Sequence, residues 1–142
     1  MIIPPIRGRD NWGDGSYGAS RRKKGHTYTH KGIDYACYPD SIILSPVNAI
    51  VSRVGRPSLD KKKAHLKLIE LIVDRQTKIK IMYIDPIVNA GDNVEIGGYL
   101  GISQDLTKIY NKITNHYHLE VIIEGVHVNP KIWLDEYARR NK

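Results

Sequence analysis

Hydrophobic and polar positions along this 142-residue chain change over in short stretches, and few of them are long enough for a helix. Lys78-Ile79-Lys80-Ile81-Met82-Tyr83-Ile84 opens with strict alternation, the period-two sign of a strand buried on one face. Leu66–Val73 is a longer apolar run. Ser41–Leu44 and Val47–Val54 are short β-branched stretches parted by Ser45-Pro46, and Leu119–Ile123 is another, closed by Glu124-Gly125. Asn89-Ala90-Gly91-Asp92-Asn93 is a turn signal. The pattern predicts a mainly β fold of short antiparallel strands, a small sheet or sandwich with accessory helices.

Two segments carry a helical pattern. Over 105–113, Leu106, Ile109, Tyr110 and Ile113 recur at three, four and seven. Over 130–140, Asn129 offers a cap and Pro130 suits the first helical position, with Trp133, Leu134 and Tyr137 on one face as packing residues. Residues 1–29, with five Gly from Gly8 to Gly25 among polar and basic residues, read as a loop-rich opening segment. No repeat or low-complexity tract divides the chain, so one domain over 1–142 is expected.

Composition adds mainly exclusions. A hydrophobic fraction of 41% and a charged fraction of 26% are ordinary for a globular protein. No apolar run approaches the roughly 18 residues of a membrane span. Cys37 is the single cysteine, so no internal disulfide forms, and a small buried apolar role is expected for it. The net charge of +7 rests largely on Arg21-Arg22-Lys23-Lys24 and Lys61-Lys62-Lys63. Both runs read as solvated loop residues that can draw the protein to a polyanion. An anionic cell envelope is the better candidate; nucleic acid is the weaker one, because neither run carries interleaved aromatics or a nucleic-acid motif.

The candidate chemistry lies in His30-Lys31-Gly32-Ile33-Asp34 and His116-Tyr117-His118. His116 and His118 stand two apart on a strand pattern, so both point to one face; His30 and Asp34, four apart, can do the same. His30, Asp34 and His118 form a two-histidine, one-carboxylate set that suits a tetrahedral zinc with its fourth position open to water. His116 would stand beside that water, placed to move a proton or to bond an oxyanion. Taken alone, each short pattern also arises without a metal. His26, His65 and His127 read as surface or turn residues.

In order along 25–130, several blocks resemble the lysostaphin/LytM-type zinc endopeptidases. His30-Lys31-Gly32-Ile33-Asp34 resembles their HxGxD motif, and Ile43–Val51 the strand pair that follows it. Tyr83-Ile84-Asp85 falls where the family has Tyr-x-His. Asn89–Gly101 resembles its GDxVxxGxxIG stretch, His116–Val121 its HLHFEV, and Val128-Asn129-Pro130 its closing NP. The resemblance implies a β-sheet with a zinc-containing groove, ligands His30, Asp34 and His118, a catalytic His116, and cleavage of peptide cross-links in bacterial peptidoglycan. It departs at Asp85, which replaces a histidine. An ionised Asp accepts hydrogen bonds and cannot donate one to an oxyanion, though it could serve as general base. The stretches Gly15–Arg21, Gly32–Cys37 and Met82–Ile87 also resemble leukocyte cell-derived chemotaxin, an animal binding protein of that fold which lacks the same histidine. A non-catalytic zinc module is therefore the alternative expectation. With no leader pattern at Met1–Arg7, the enzyme reading expects a phage virion or lysis component, with other virion proteins as possible partners and a route to the wall that the chain does not encode.

Overall fold

The computed structural model describes residues 3–141. The main sheet is antiparallel and built on β11 (His116–Ile123), its longest strand. One edge of β11 pairs with β3 (Ile33–Ala36) and then with β12 (Val126–Val128); the other pairs with β7 (Thr77–Met82). From β7 the sheet continues through β6 (Leu68–Ile72) and β5 (Ala49–Gly55) to β9 (Asn93–Val94). A second sheet has the order β4 (Ile42–Leu44), β10 (Tyr99–Ser103), β8 (Ile84–Pro86). A hairpin of β1 (Ser20–Lys23) and β2 (His26–Thr29) stands apart.

The alternation of the sequence explains the core. In β7, Thr77, Ile79 and Ile81 are buried, while Lys78 and Lys80 are only half-buried. Ile79, Ile81, Ile69, Leu71, Val121 and Leu119 meet in one apolar cluster, joined by Leu134 and Tyr137 of α1 (Pro130–Arg140). The Asn129 side chain caps that helix by accepting from Lys131 N, and Pro130 opens it as expected. Tyr137 also fixes the strand region, its hydroxyl accepting from Asn48 N at 3.0 Å.

Two expectations are corrected. Residues 105–113 form turns and no helix. Ile109 N and Tyr110 N both bond to Leu106 O, but Lys112 then takes a left-handed φ of 58°, which ends any helical run. One helical turn fixes too many dihedrals for one bond to persist alone; here Leu106 N is held by Asn115 Oδ1 at 2.8 Å. The opening segment is also more ordered than a loop. It contains the β1–β2 hairpin, and Arg7 N bonds to Asp34 O and Asp34 N to Gly15 O, which lays residues 7–15 along β3.

Candidate metal centre

Strand register brings the site together. Asp34 on β3 lies directly opposite His118 on β11, and His116 is two residues along the same face. His30 reaches them from just before β3. Gly32 allows this approach, since a Cβ there would lie 2.4 Å from Leu119 O and 2.7 Å from His118 Cε1. His30, Asp34 and His118 are buried, with 9%, 3% and 8% of their surfaces exposed.

Hydrogen bonds fix which ring atoms face inward. His30 Nδ1 lies 3.0 Å from Ser16 O, and a carbonyl only accepts, so Nδ1 carries the proton and Nε2 presents its lone pair. His118 Nε2 donates to Glu120 Oε2 at 2.9 Å, which turns Nδ1 inward. Asp34 Oδ2 accepts from Arg7 Nε at 3.2 Å and Nη2 at 2.9 Å, leaving Oδ1 for the centre. Three lone-pair atoms therefore converge: His30 Nε2 to His118 Nδ1 3.2 Å, His30 Nε2 to Asp34 Oδ1 3.3 Å, His118 Nδ1 to Asp34 Oδ1 2.8 Å. Zinc bonds of about 2.0–2.2 Å at tetrahedral angles separate their ligand atoms by about 3.3–3.6 Å. Two edges match closely, and the short third is one that a proton shared between imidazole and carboxylate closes. The three residues fit such an ion, and each has an outer hydrogen-bond partner of the kind that fixes tautomer and orientation at metal sites.

Electrostatics agree with a cation at this point. Burial alone would raise the Asp34 carboxyl, but hydrogen bonds with His118 and His30 hold it well below the usual carboxylate range. Burial would lower His118, yet bonds to Asp34 and Glu120 push it up to about 9. Glu120, despite burial, is drawn down to about 2 by His118 and His127.

His116 is placed differently. Its Nδ1 donates to Thr114 O at 2.9 Å, and its Nε2 faces Asp34 Oδ2 at 3.6 Å. Burial pulls its pKa down, which favours a neutral ring with Nε2 free to accept a proton. Tyr83 stands edge-on to it at 5.6 Å between centroids and holds a left-handed φ of 71°, a strained backbone for a non-glycine residue. Asp85 is not brought to this group. Its side chain is exposed and accepts from Gln104 Nε2 at 3.1 Å, and the cleft is lined by Tyr83, Tyr110, Ile113, Trp12, Tyr28, Arg7 and Arg21 around the three histidines and Asp34.

Several of these residues had no role in the sequence reading. Glu120 carried a usable signal, two residues beyond His118 on one strand face. Arg7 and Arg21 carried none, because their relation to Asp34 exists only after folding. His127 binds Glu120 Oε1 at 2.8 Å, so it is more than a turn residue. His26 and His65 are exposed, as expected.

No family model matches the sequence, and no curated protein matches it. Solved structures do match. LytU superposes with a TM-score of 0.70 at 22% identity, over 90% of this chain and 87% of that one. The catalytic domain of the antimicrobial peptidase lysostaphin from Staphylococcus simulans gives 0.65 at 18% identity, over 84% and 89%. A zinc-containing peptidase from Vibrio cholerae gives 0.64 at 17% identity, over 90% of this chain and 39% of that one. The chain has the β-rich fold of lysostaphin/LytM-type M23 domains.

Proposed function

We propose that this chain is a zinc-dependent endopeptidase acting on the peptide cross-links of bacterial peptidoglycan. The observation that carries the reading is the triangle of His30 Nε2, Asp34 Oδ1 and His118 Nδ1, whose lone pairs converge in a cleft beside a neutral His116. Support for the substrate class comes from the fold shared with lysostaphin and from the motif blocks along 25–130.

His30, Asp34 and His118 would hold the ion. An ion held there would supply polarisation of an amide carbonyl and a bound water acidic enough to react near neutral pH. His116 Nε2 accepts a proton from the attacking water, and its Nδ1–H bond to Thr114 O keeps the ring in the tautomer that can do so. The same nitrogen returns the proton to the departing amine. Arg7 holds Asp34 by one oxygen so that the other stays directed at the centre. Tyr83 and Tyr110 wall the cleft and limit water around the reacting amide.

Incubation with purified peptidoglycan tests this. New amines should appear, stop on chelation and return with zinc. His116→Ala should slow release by about 10²–10⁴-fold with zinc content retained, and Asp85→Asn should change it little. A protein that binds one zinc and releases no amines would instead be the non-catalytic module.

A further inference from the structure

Arg21 belongs to the basic run read as solvated, yet it differs from its neighbours. On β1, Arg22 and Lys23 are exposed, whereas only 12% of the Arg21 side chain is. Arg21 pairs in register with Tyr28 across the β1–β2 hairpin, and both line the cleft that holds His30, Asp34, His116 and His118. The guanidinium is fixed from behind. Its Nη2 donates to Asp14 O at 2.5 Å and its Nη1 to Ser20 O at 3.3 Å. It also packs against Gly13, where a Cβ would meet Nη1 at 2.7 Å.

Its charge has no carboxylate of its own among the described residues. The nearest is Asp34 Oδ2, 3.8 Å from Nη2 and beyond hydrogen-bond reach. That oxygen already accepts two bonds from Arg7, and Oδ1 faces the histidines. A guanidinium largely removed from water, whose one ion pair is the 3.8 Å contact to a carboxylate oxygen already engaged by Arg7, is weakly compensated. It is also pre-organised: its two remaining contacts are neutral carbonyls, and the planar fork keeps donors free for a bidentate carboxylate.

Resting on the peptidase reading above, we propose that Arg21 is a specificity residue that binds a free carboxylate of the substrate peptide, next to the amide that is cut. A cross-link bearing such a carboxylate beside the scissile bond is then the preferred substrate, and an uncharged bridge is a poor one.

The test uses two cross-linked peptides that differ only in this group, one a free carboxylate and the other its carboxamide. The zinc-loaded wild type should favour the acid by about 10–100-fold in kcat/KM, the range of a charged hydrogen-bonded pair. Arg21→Gln should bring the ratio near one, and Arg21→Lys should leave it in between; a ratio read within one variant is independent of how much of it folds. Isothermal titration with non-cleavable versions of both peptides gives the same comparison without turnover. Equal handling of acid and amide by the wild type overturns the proposal and leaves the peptidase reading standing. Arg21-dependent binding of the acid without cleavage of either peptide would retain this site and remove the peptidase reading.

Discussion

At the scale of residues, the grouping of His30, Asp34 and His118 was legible because its members carry distinctive spacing: His30 and Asp34 four apart, His116 and His118 two apart on a strand. Their partners were not. Arg7 is 27 positions from Asp34 and shares no pattern with it, and Asp85 accepts from Gln104, 19 positions away, a partner no composition rule anticipates. Gly32 is where local sequence and site meet. Gly32→Ala would drive a methyl into Leu119 O and the His118 ring, at 2.4 and 2.7 Å. It should cost about 1–3 kcal/mol in denaturant unfolding and lower zinc affinity at least about tenfold. Gly8→Ala, where a Cβ meets nothing within 4 Å, should change neither. His118 sets a second expectation. Hydrogen bonds to Asp34 and Glu120 push its pKa up from the ordinary 6.5 to about 9 when no metal is bound. The protonated ring therefore stabilises the fold fully below 6.5 and ceases to do so as pH rises through about 9. Zinc needs the same lone pair, so its affinity should climb across that window and binding near neutral pH should release a proton. Melting of chelator-treated protein against pH, with zinc titrations in buffers of different ionisation heat, checks both signs.

Among the elements, strands were read well because period-two alternation reports directly on one buried face, as in β7. The stretch 105–113 shows where periodicity misleads. Leu106 is buried and Tyr110 and Ile113 line the cleft, so the same apolar spacing serves a wall made of turns. That wall is latched from outside itself. Asn115, 8% exposed, accepts from Leu106 N, its own carbonyl accepts from Cys37 N, and Trp12 Nε1 donates to Asn111 O. Asn115→Ala leaves the buried Leu106 N–H without its partner, a loss of about 1–3 kcal/mol. Amide exchange should quicken over Leu106–Tyr110 while β7 and β11 stay protected; uniform exchange across both regions would mean the wall is part of the main cooperative unit.

For the molecule as a whole, the charge of +7 is unevenly placed. Lys61–Lys63 form a 3₁₀ turn in which Lys61 and Lys62 are exposed and Lys63, half-buried, places its Nζ 4.8 Å from the Tyr110 ring, so one basic run sits beside the cleft wall. The other run ends on the hairpin whose Arg21 enters the cleft. Arg21 lines the opening and Lys63 stands over the Tyr110 ring that walls it, a placement the sequence could not reveal because these positions come together only on folding. Positive charge around one opening raises the encounter rate with an anionic polymer, and salt removes that gain. Raising ionic strength from about 0.01 to about 0.15 M shortens the Debye length from about 30 to about 8 Å. The exposed lysines should then lose most of their reach, whereas Arg21, largely buried and acting at contact, should lose little. Initial rates on insoluble cell wall should therefore fall several-fold over that range, while the acid-to-amide preference on short soluble peptides should hold. Lys61→Ala, Lys62→Ala and Lys63→Ala combined should flatten the salt dependence on cell wall without altering the peptide ratio. A peptide ratio that falls with salt as steeply as the cell-wall rate would place Arg21 among the solvated charges.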